Sequence, residues 1–187
     1  MAAVFGFFRK SPEKEPARRL YSAILARARE ATFYEDFGVP DTVDGRFDMV
    51  ALHAFLLLRR LKRDRPATAR LSQELFDLMF IDMDENLREM GVGDLSVGRR
   101  VKDMAKAFLG RVAAYEDALE RGDGEALAAA LRRNLFRGVV AEDGRHIAAM
   151  AGYVRGQEAG LTGLAIETLL AGDLAFPPVA AERKEGT

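Results

Sequence analysis

Five carboxylates lie close together between residues 82 and 94, and carboxylates at such density could bind a cation or act as a general acid and base. They are Asp82, Asp84, Glu85, Glu89 and Asp94. Their spacing does not fit a calcium loop of the helix-loop-helix type. Leu87 stands where the sharp turn needs glycine, and Gly93 stands where the loop needs a bidentate glutamate.

Two other kinds of site are also excluded by spacing. In GVGDLSVG the third glycine comes too late for a nucleotide-binding loop, and a predicted helix, not a strand, precedes it. A di-metal helical bundle needs Glu-x-x-His on two helices, but neither His53 nor His146 has a glutamate three residues before it. We therefore expect no metal and no cofactor. We interpret His53 as a hydrogen-bonded structural residue and His146 as a surface residue.

The composition is that of a folded protein without a strong overall charge. The 187 residues are 49% hydrophobic, and 28 Lys and Arg nearly balance 29 Asp and Glu. Any attraction to nucleic acid or lipid must therefore come from a local patch. The chain has no cysteine, which excludes disulfides and fits a reducing cytoplasm. No apolar run approaches the roughly 20 residues that span a bilayer.

Helical periodicity dominates the chain, and we predict an all-α fold with about six to seven helices in one compact domain. The first predicted helix begins at Ser11, and the others cover about 47–63, 67–90, 96–121, 125–137 and 145–170, with a break near Gly156 and Gly160. A long irregular connection, 31–47, follows the first helix. The domain is expected to cover 11–178, between a flexible apolar and basic segment at 1–10 and a disordered tail at 179–187.

The glycines of the acidic stretch predict a corner between two helices. Gly91 is placed to end one helix in the left-handed conformation, and Gly93 precedes the next helix, which Asp94 or Ser96 can cap. We expect an ion pair across this corner between Glu89 and Arg100, which lie at comparable depth in an antiparallel hairpin.

Two further acids near the corner lie where negative charge is unfavourable. Asp84 and Glu85 lie in the last turns of a predicted helix, where each negative charge opposes the helix dipole by roughly 0.3 to 1 kcal/mol. Arg88 offsets part of this cost by pairing with Asp84 four residues away. Because these three side chains point away from the apolar stripe, we interpret them as a surface that meets a partner.

A basic cluster follows the second predicted helix. It comprises Arg59, Arg60, Lys62, Arg63 and Arg65. Attraction to the negative end of the helix dipole explains two or three of these charges. The others leave open an anionic partner, such as ribosomal RNA or phospholipid headgroups.

Three segments, together with His53, carry a resemblance to a known family. They are FYEDFGVPDTVDGRFDM, FDLMFIDMDENLREMGVGDLSVGRRVKDM and AFLGRVAAYEDAL. The chain resembles the ubiquinol-cytochrome c chaperone family over residues 20–176, most specifically over 84–97. The resemblance implies a non-enzymatic assembly factor of the cytochrome bc complex that binds newly made cytochrome b.

Mitochondrial members of this family act with a small partner protein near the ribosomal tunnel exit. This sequence is similar to the short bacterial form, so the ribosome and the small partner stay open, as does the oligomeric state. We expect a cytoplasmic location with peripheral association at the cytoplasmic face of the inner membrane.

A hydrophobic client needs accessible aromatic side chains and a charged rim. The partner-binding candidates are Tyr34, Phe37, Arg46, Asp84, Glu85, Arg88, Asp94 and Lys106. Core packing is the competing interpretation for the aromatic residues. Two other functions stay open, namely a haem or other tetrapyrrole carrier with His53 as axial ligand, and a helical enzyme that uses Asp82 or Glu89 as general acid or base.

Overall fold

The computed structural model describes residues 13–137 and 144–179, and the regular structure in these two ranges is entirely helical. The helices are α1 Lys14–Ala28, α2 Thr32–Glu35, α3 Val43–Lys62, α4 Ala69–Glu89, α5 Asp94–Glu120, α6 Gly124–Leu131, α7 Arg145–Thr162 and α8 Ile166–Leu170. A π-helical turn, Arg132–Phe136, continues α6. The all-α prediction is confirmed. Within the described ranges, no helix combines the length and the apolar character needed to cross a membrane.

Helix α3 lies at the centre of the bundle and is buried around most of its circumference. It contacts α1, α4, α5 and α7, while α4 packs between α1 and α5. Helix α4 turns a single stripe toward the core, formed by Leu71, Leu75, Met79, Met83 and Leu87 at intervals of four residues. Because this stripe is one-sided, α4 packs on the bundle from outside and α3 is the central helix.

The start of α3 differs from the prediction. The helix begins at Val43, four residues before the predicted start, because the Thr42 side chain caps it by accepting from the Gly45 amide at 3.1 Å. A Cβ atom at Gly45 would collide with the Pro40 carbonyl, so glycine allows the chain to turn tightly into the helix. The irregular connection after α1 is correspondingly shorter, and α2 interrupts it.

The end of the chain also differs from the prediction. Helix α7 runs unbroken through Gly156 and Gly160 and ends before Gly163, so the predicted break is wrong. Gly160 is needed because the Pro177 ring packs where its side chain would be, whereas a Cβ at Gly156 would meet nothing within 4 Å. The predicted segment 1–10 and positions 180–187 of the predicted tail lie outside the described residues.

These two glycines give a matched test of the packing. Gly156→Ala will stabilise the protein by about 0.5 to 1 kcal/mol, because alanine is the better helix former at an open position. Gly160→Ala will destabilise it by about 1 to 3 kcal/mol, because the Pro177 ring must move. Urea denaturation of both variants measures the two effects. Equal shifts of the same sign would contradict the packing of Pro177 on α7.

Candidate functional site

A groove of about 980 Å³ opens among α1, the start of α3, the last turns of α4 and the first half of α5. Its apolar lining consists of Tyr21, Leu25, Val43, Phe47, Val50, Met83, Leu87, Met90, Met104 and Ala107. Val43 is 62% exposed and Met90 is 52% exposed, although both are large apolar residues. An apolar groove with exposed edges at this scale is typical of a binding surface.

Three methionines give the groove an adaptable lining. Met83 lies on α4, Met90 is the C-cap residue that directly follows it, and Met104 faces them from α5. Unbranched methionine side chains repack easily around differently shaped partners, and they recur in grooves that accept amphipathic helices. The geometry therefore suits an apolar or amphipathic segment better than a small polar substrate.

A buried ion-pair network supports one side of the groove. Asp48 is 3% exposed and accepts from Arg111 at 2.7 Å and from Arg137 at 2.9 Å. Arg137 also pairs with Asp44 at 3.1 Å, one turn earlier on α3. Burial raises the pKa of Asp48, and the two guanidinium groups limit that rise. The network joins α3 to α5 and to the chain after the π-helical turn, so it holds three segments of the groove in register.

Local structure explains why Arg137 can reach α3. The π-helical turn ends at Phe136, which is fully buried, and Arg137 leaves it in the left-handed conformation with φ of 49°. A non-glycine residue with positive φ is uncommon, and the paired guanidinium compensates for the strain. Arg111, on the other side of Asp48, also lies 5.6 Å from the centre of the Phe47 ring.

Charged groups line the mouth of the groove. Asp82 accepts a hydrogen bond from the Tyr21 hydroxyl at 2.8 Å, which ties α1 to α4. Arg29, directly after α1, and Arg100 on α5 also line the groove, and neither forms an ion pair with another described residue. Within the parts of the chain that the structure describes, no group of three or more His, Asp or Glu side chains is placed to hold a metal.

His53 lies in the core, away from the groove, and is fully buried. Its Nδ1 lies 2.8 Å from the Met49 carbonyl, which can only accept, so Nδ1 carries the proton. Nε2 then accepts from the Tyr153 hydroxyl at 2.6 Å. Burial lowers the pKa of His53 to about 4. The structural interpretation of His53 is confirmed, and with both ring nitrogens occupied this histidine cannot ligate a haem in this conformation.

His146 differs from its prediction as a surface residue. It is half-buried against the backbone of Gly38, and its Nδ1 is enclosed without a hydrogen-bond partner among the described residues.

The two aromatic residues predicted to bind a partner, Tyr34 and Phe37, do not line the groove. Phe37 is 4% exposed and packs against Phe33 and Tyr153, so its prediction as an accessible residue is wrong. Tyr34 is half-buried, and its hydroxyl donates to the Ala28 carbonyl at 2.7 Å. Tyr34 is thereby tied to Ala28, the last residue of α1, and Phe37 is enclosed in the core.

Arg46 is the partner-binding candidate that does line the groove. Its guanidinium pairs with Asp41 at 2.6 Å and lies 5.7 Å from the centre of the Tyr34 ring. Lys106 lies on α5 and is exposed, but it faces away from the groove lining.

The predicted corner is present, with different ion pairs. Gly91 is left-handed with φ of 82°, and the Val92 amide donates back to the Leu87 carbonyl at 3.0 Å, which confirms the turn. Gly93 occupies the N-cap of α5 without a capping side chain. Neither Asp94 nor Ser96 therefore caps α5, and Asp94 lies in its first turn.

Arg88 organises the charges of this corner. It pairs with Asp84 at 2.5 Å, as predicted, and also with Asp94. The predicted Glu89–Arg100 pair is wrong: both side chains are exposed, and no ion pair joins them. Arg100 instead lines the groove.

Most residues of the basic cluster at the end of α3 form ion pairs or hydrogen bonds with other parts of the protein. Arg59 pairs with Glu116 at 2.9 Å, and Lys62 reaches the same carboxylate at 2.9 Å. Arg60, which is 9% exposed, forms an ion pair with Asp64 and also donates hydrogen bonds to the carbonyls of Leu161 and Leu164. These charges connect α3 to α5 and to the end of α7, so most of them are explained without an anionic partner.

Sequence reasoning missed most of the groove lining. Leu25, Met83 and Met104 belong to amphipathic stripes that have the same pattern whether they face a core or an open groove. The one available signal was Val43, an apolar residue placed between Thr42 and Asp44 at the polar start of a helix.

Comparison with known proteins agrees with this architecture. The family model described as "Ubiquinol-cytochrome C chaperone" matches residues 35–176. The chain is also similar to the crystal structure of the Cbp3 homolog from Brucella abortus, with 43% identity and a TM-score of 0.81. That match covers 91% of this chain and 94% of the Brucella chain.

More distant relatives carry related names. The chain is 28% identical over 167 residues to ubiquinol-cytochrome-c reductase complex assembly factor 1 of Xenopus laevis, which covers 89% of this chain and 82% of that protein. It is 26% identical over 173 residues to the Homo sapiens protein of the same name, and the match covers 92% of this chain but 57% of that protein. It is 30% identical over 149 residues to mitochondrial protein CBP3 of Saccharomyces cerevisiae, and the match covers 78% of this chain and 44% of that protein. The chain therefore belongs to the ubiquinol-cytochrome c chaperone family.

Proposed function

We propose that this chain is a non-enzymatic chaperone that assists assembly of the cytochrome bc complex by holding a segment of newly made cytochrome b in the groove. Relatives named as assembly factors of ubiquinol-cytochrome c reductase support the role. The observation that carries the choice of surface is the exposure of Val43 and Met90 at the edges of a large apolar groove.

The groove fits an unassembled membrane protein on physical grounds. A membrane-spanning segment that has not found its neighbours exposes apolar side chains, and water-filled surroundings make that exposure unfavourable. The methionine-rich lining can cover such a segment without demanding one shape. Arg29, Arg46 and Arg100 at the mouth can meet the polar or acidic ends of the segment. We therefore interpret the site as a binding surface and not as a catalytic one.

The corner is a second proposed contact. Asp84, Glu85, Arg88 and Asp94 project from the bundle and do not line the groove. A small partner protein or the ribosome, both of which the family resemblance leaves open for this chain, can bind there while the groove holds the client. We place the chain in the cytoplasm, where a client arriving from synthesis meets the membrane.

Charge introduced at the groove edges will prevent client binding. In a respiring host that lacks its own copy of the gene, the double variant Val43→Glu, Met90→Glu will recover about tenfold less cytochrome b on the tagged chaperone, equivalent to about 1.4 kcal/mol. Cytochrome b and assembled bc complex will fall with it. Because both residues are already exposed, the fold itself should tolerate the changes.

The matched control is Ile81→Glu. Ile81 also lies on α4 and is 53% exposed, against 52% for Met90, but it does not line the groove. This variant should bind cytochrome b normally. If the groove variant and Ile81→Glu behave alike, the client binds elsewhere. If deleting the gene leaves cytochrome b at its normal level, the chaperone function itself is wrong.

A further inference from the structure

The outward side of α5 carries an exposed stripe that the groove does not use. Leu95, Arg99, Lys102, Lys106 and Leu109 follow one another at intervals of three or four residues, so they lie along one side of the helix. Each is exposed to solvent. Leu95 is 98% exposed and Leu109 is 56% exposed, so a large apolar side chain stands at each end of three cations.

The charges of this basic stripe are not neutralised by their surroundings. Arg99, Lys102 and Lys106 form no ion pair with any residue in the described ranges. The nearby acid on α5, Asp103, lines the groove on an adjacent side of the helix. Two nearby acids, Asp84 on α4 and Asp94 at the start of α5, are both paired with Arg88.

The stripe is also flat and open. Gly98 and Gly110 lie beside it, and a Cβ atom built on either would meet nothing within 4 Å. A helix side without bulky neighbours can approach a planar surface closely. Long basic side chains can then extend toward that surface while the leucines enter it.

We propose that this stripe of α5 binds the surface of a membrane that contains anionic lipids. Each basic residue near such a surface strengthens binding about fivefold, and the leucines add apolar contact in the headgroup region. RNA would engage the same cations, but it would gain nothing from two solvent-exposed leucines. The leucines at both ends therefore favour a lipid surface over RNA.

The proposed orientation has a consequence for the groove. Met104 and Ala107 line the groove, and at 100° per residue they lie about 180° and about 120° around α5 from the centre of the stripe. A chain held by this stripe therefore leaves the groove uncovered by the membrane surface. The inference does not depend on client binding, because vesicles alone test it.

The test uses the purified full chain and vesicle sedimentation. Binding is expected with vesicles of equal phosphatidylglycerol and phosphatidylcholine, weakening in 0.5 M salt, and little binding with phosphatidylcholine alone. Lys102→Glu, Lys106→Glu should weaken binding by about 20-fold or more, since two attractions become repulsions. Leu95→Ser, Leu109→Ser should also weaken it by at least about threefold. Circular dichroism checks that each variant is folded.

A control variant and two competing outcomes make the test decisive. Arg70→Glu, Arg155→Glu reverses the same number of exposed charges on α4 and α7 and should reduce binding by less than about threefold. Vesicle binding that survives the lysine changes but disappears when residues 1–10 are removed would overturn the proposal. So would leucine variants that bind vesicles normally, or binding to single-stranded polyuridylate that is stronger than binding to anionic vesicles.

Discussion

Asp48→Ala will destabilise the protein by about 3 to 5 kcal/mol, because it leaves the buried Arg111 without its carboxylate and removes one of the two partners of Arg137. The side chain of Asp48 is 1% exposed, and that of Arg111 is 11% exposed. Removing one member of a buried network exposes the full desolvation cost of the others, which is larger than the net stabilisation by the intact network. Urea denaturation followed by circular dichroism measures the loss.

The matched control is Asp41→Ala. Asp41 also pairs with an arginine, Arg46, at 2.6 Å, but both side chains are more than half exposed, at 55% and 58%. This change should alter stability by less than about 1 kcal/mol. The milder Asp48→Asn, which keeps the shape and one acceptor, should lie between the two. A loss for Asp48→Ala no larger than for Asp41→Ala would mean that the network does not hold the groove segments together.

Stability will also fall as the pH is lowered through the range from about 6.5 to about 4. Burial lowers the pKa of His53 from 6.5 to about 4 in the folded protein. The unfolded chain binds a proton below pH 6.5 while the folded chain stays neutral, so protons favour unfolding in this window. The contribution is complete above pH 6.5 and is lost as the pH approaches 4. The loss amounts to about 2 kcal/mol at pH 5 and about 3 kcal/mol well below pH 4.

Comparison with His53→Gln isolates this contribution, because the carboxylates titrate alike in both proteins. The difference in unfolding free energy between the two should shrink by about 2 kcal/mol from pH 7.5 to pH 5. Nuclear magnetic resonance of the wild-type protein provides a second measurement that requires no variant. The His53 ring signals should not titrate above pH 5, and a midpoint near 6.5 would show that the histidine is not buried as described.

Elements whose signals are local were predictable from the sequence. Helix α4 was expected at 67–90 and occupies Ala69–Glu89, because leucines and methionines at intervals of four residues reveal a helix with one buried side. Gly91 was expected to end it, because a left-handed residue at a helix end favours glycine over residues with a Cβ atom. The Asp84–Arg88 pair was predictable for the same reason, since both residues lie on one helix.

Contacts between helices were predicted less well. Glu89 and Arg100 were expected to pair because they lie at comparable depth in the hairpin, but Arg100 lines the groove and does not reach Glu89. Phe37 and Tyr34 have similar positions in the connection after α1, yet Phe37 is buried and Tyr34 is half-buried. Their sequence neighbourhood does not contain the information that separates them, because Tyr153 and Phe33 provide the packing for Phe37.

By itself, the sequence determined the helical class, the glycine corner and the family resemblance, since periodicity, turn residues and short segments are properties of neighbouring positions. The tertiary structure alone decided which stripes meet a core and which line a groove. It also decided that Asp48 meets Arg111 and Arg137, which are 63 and 89 residues away along the chain. Such partners depend on how whole helices are rotated and stacked, and that arrangement follows from the packing of all side chains together.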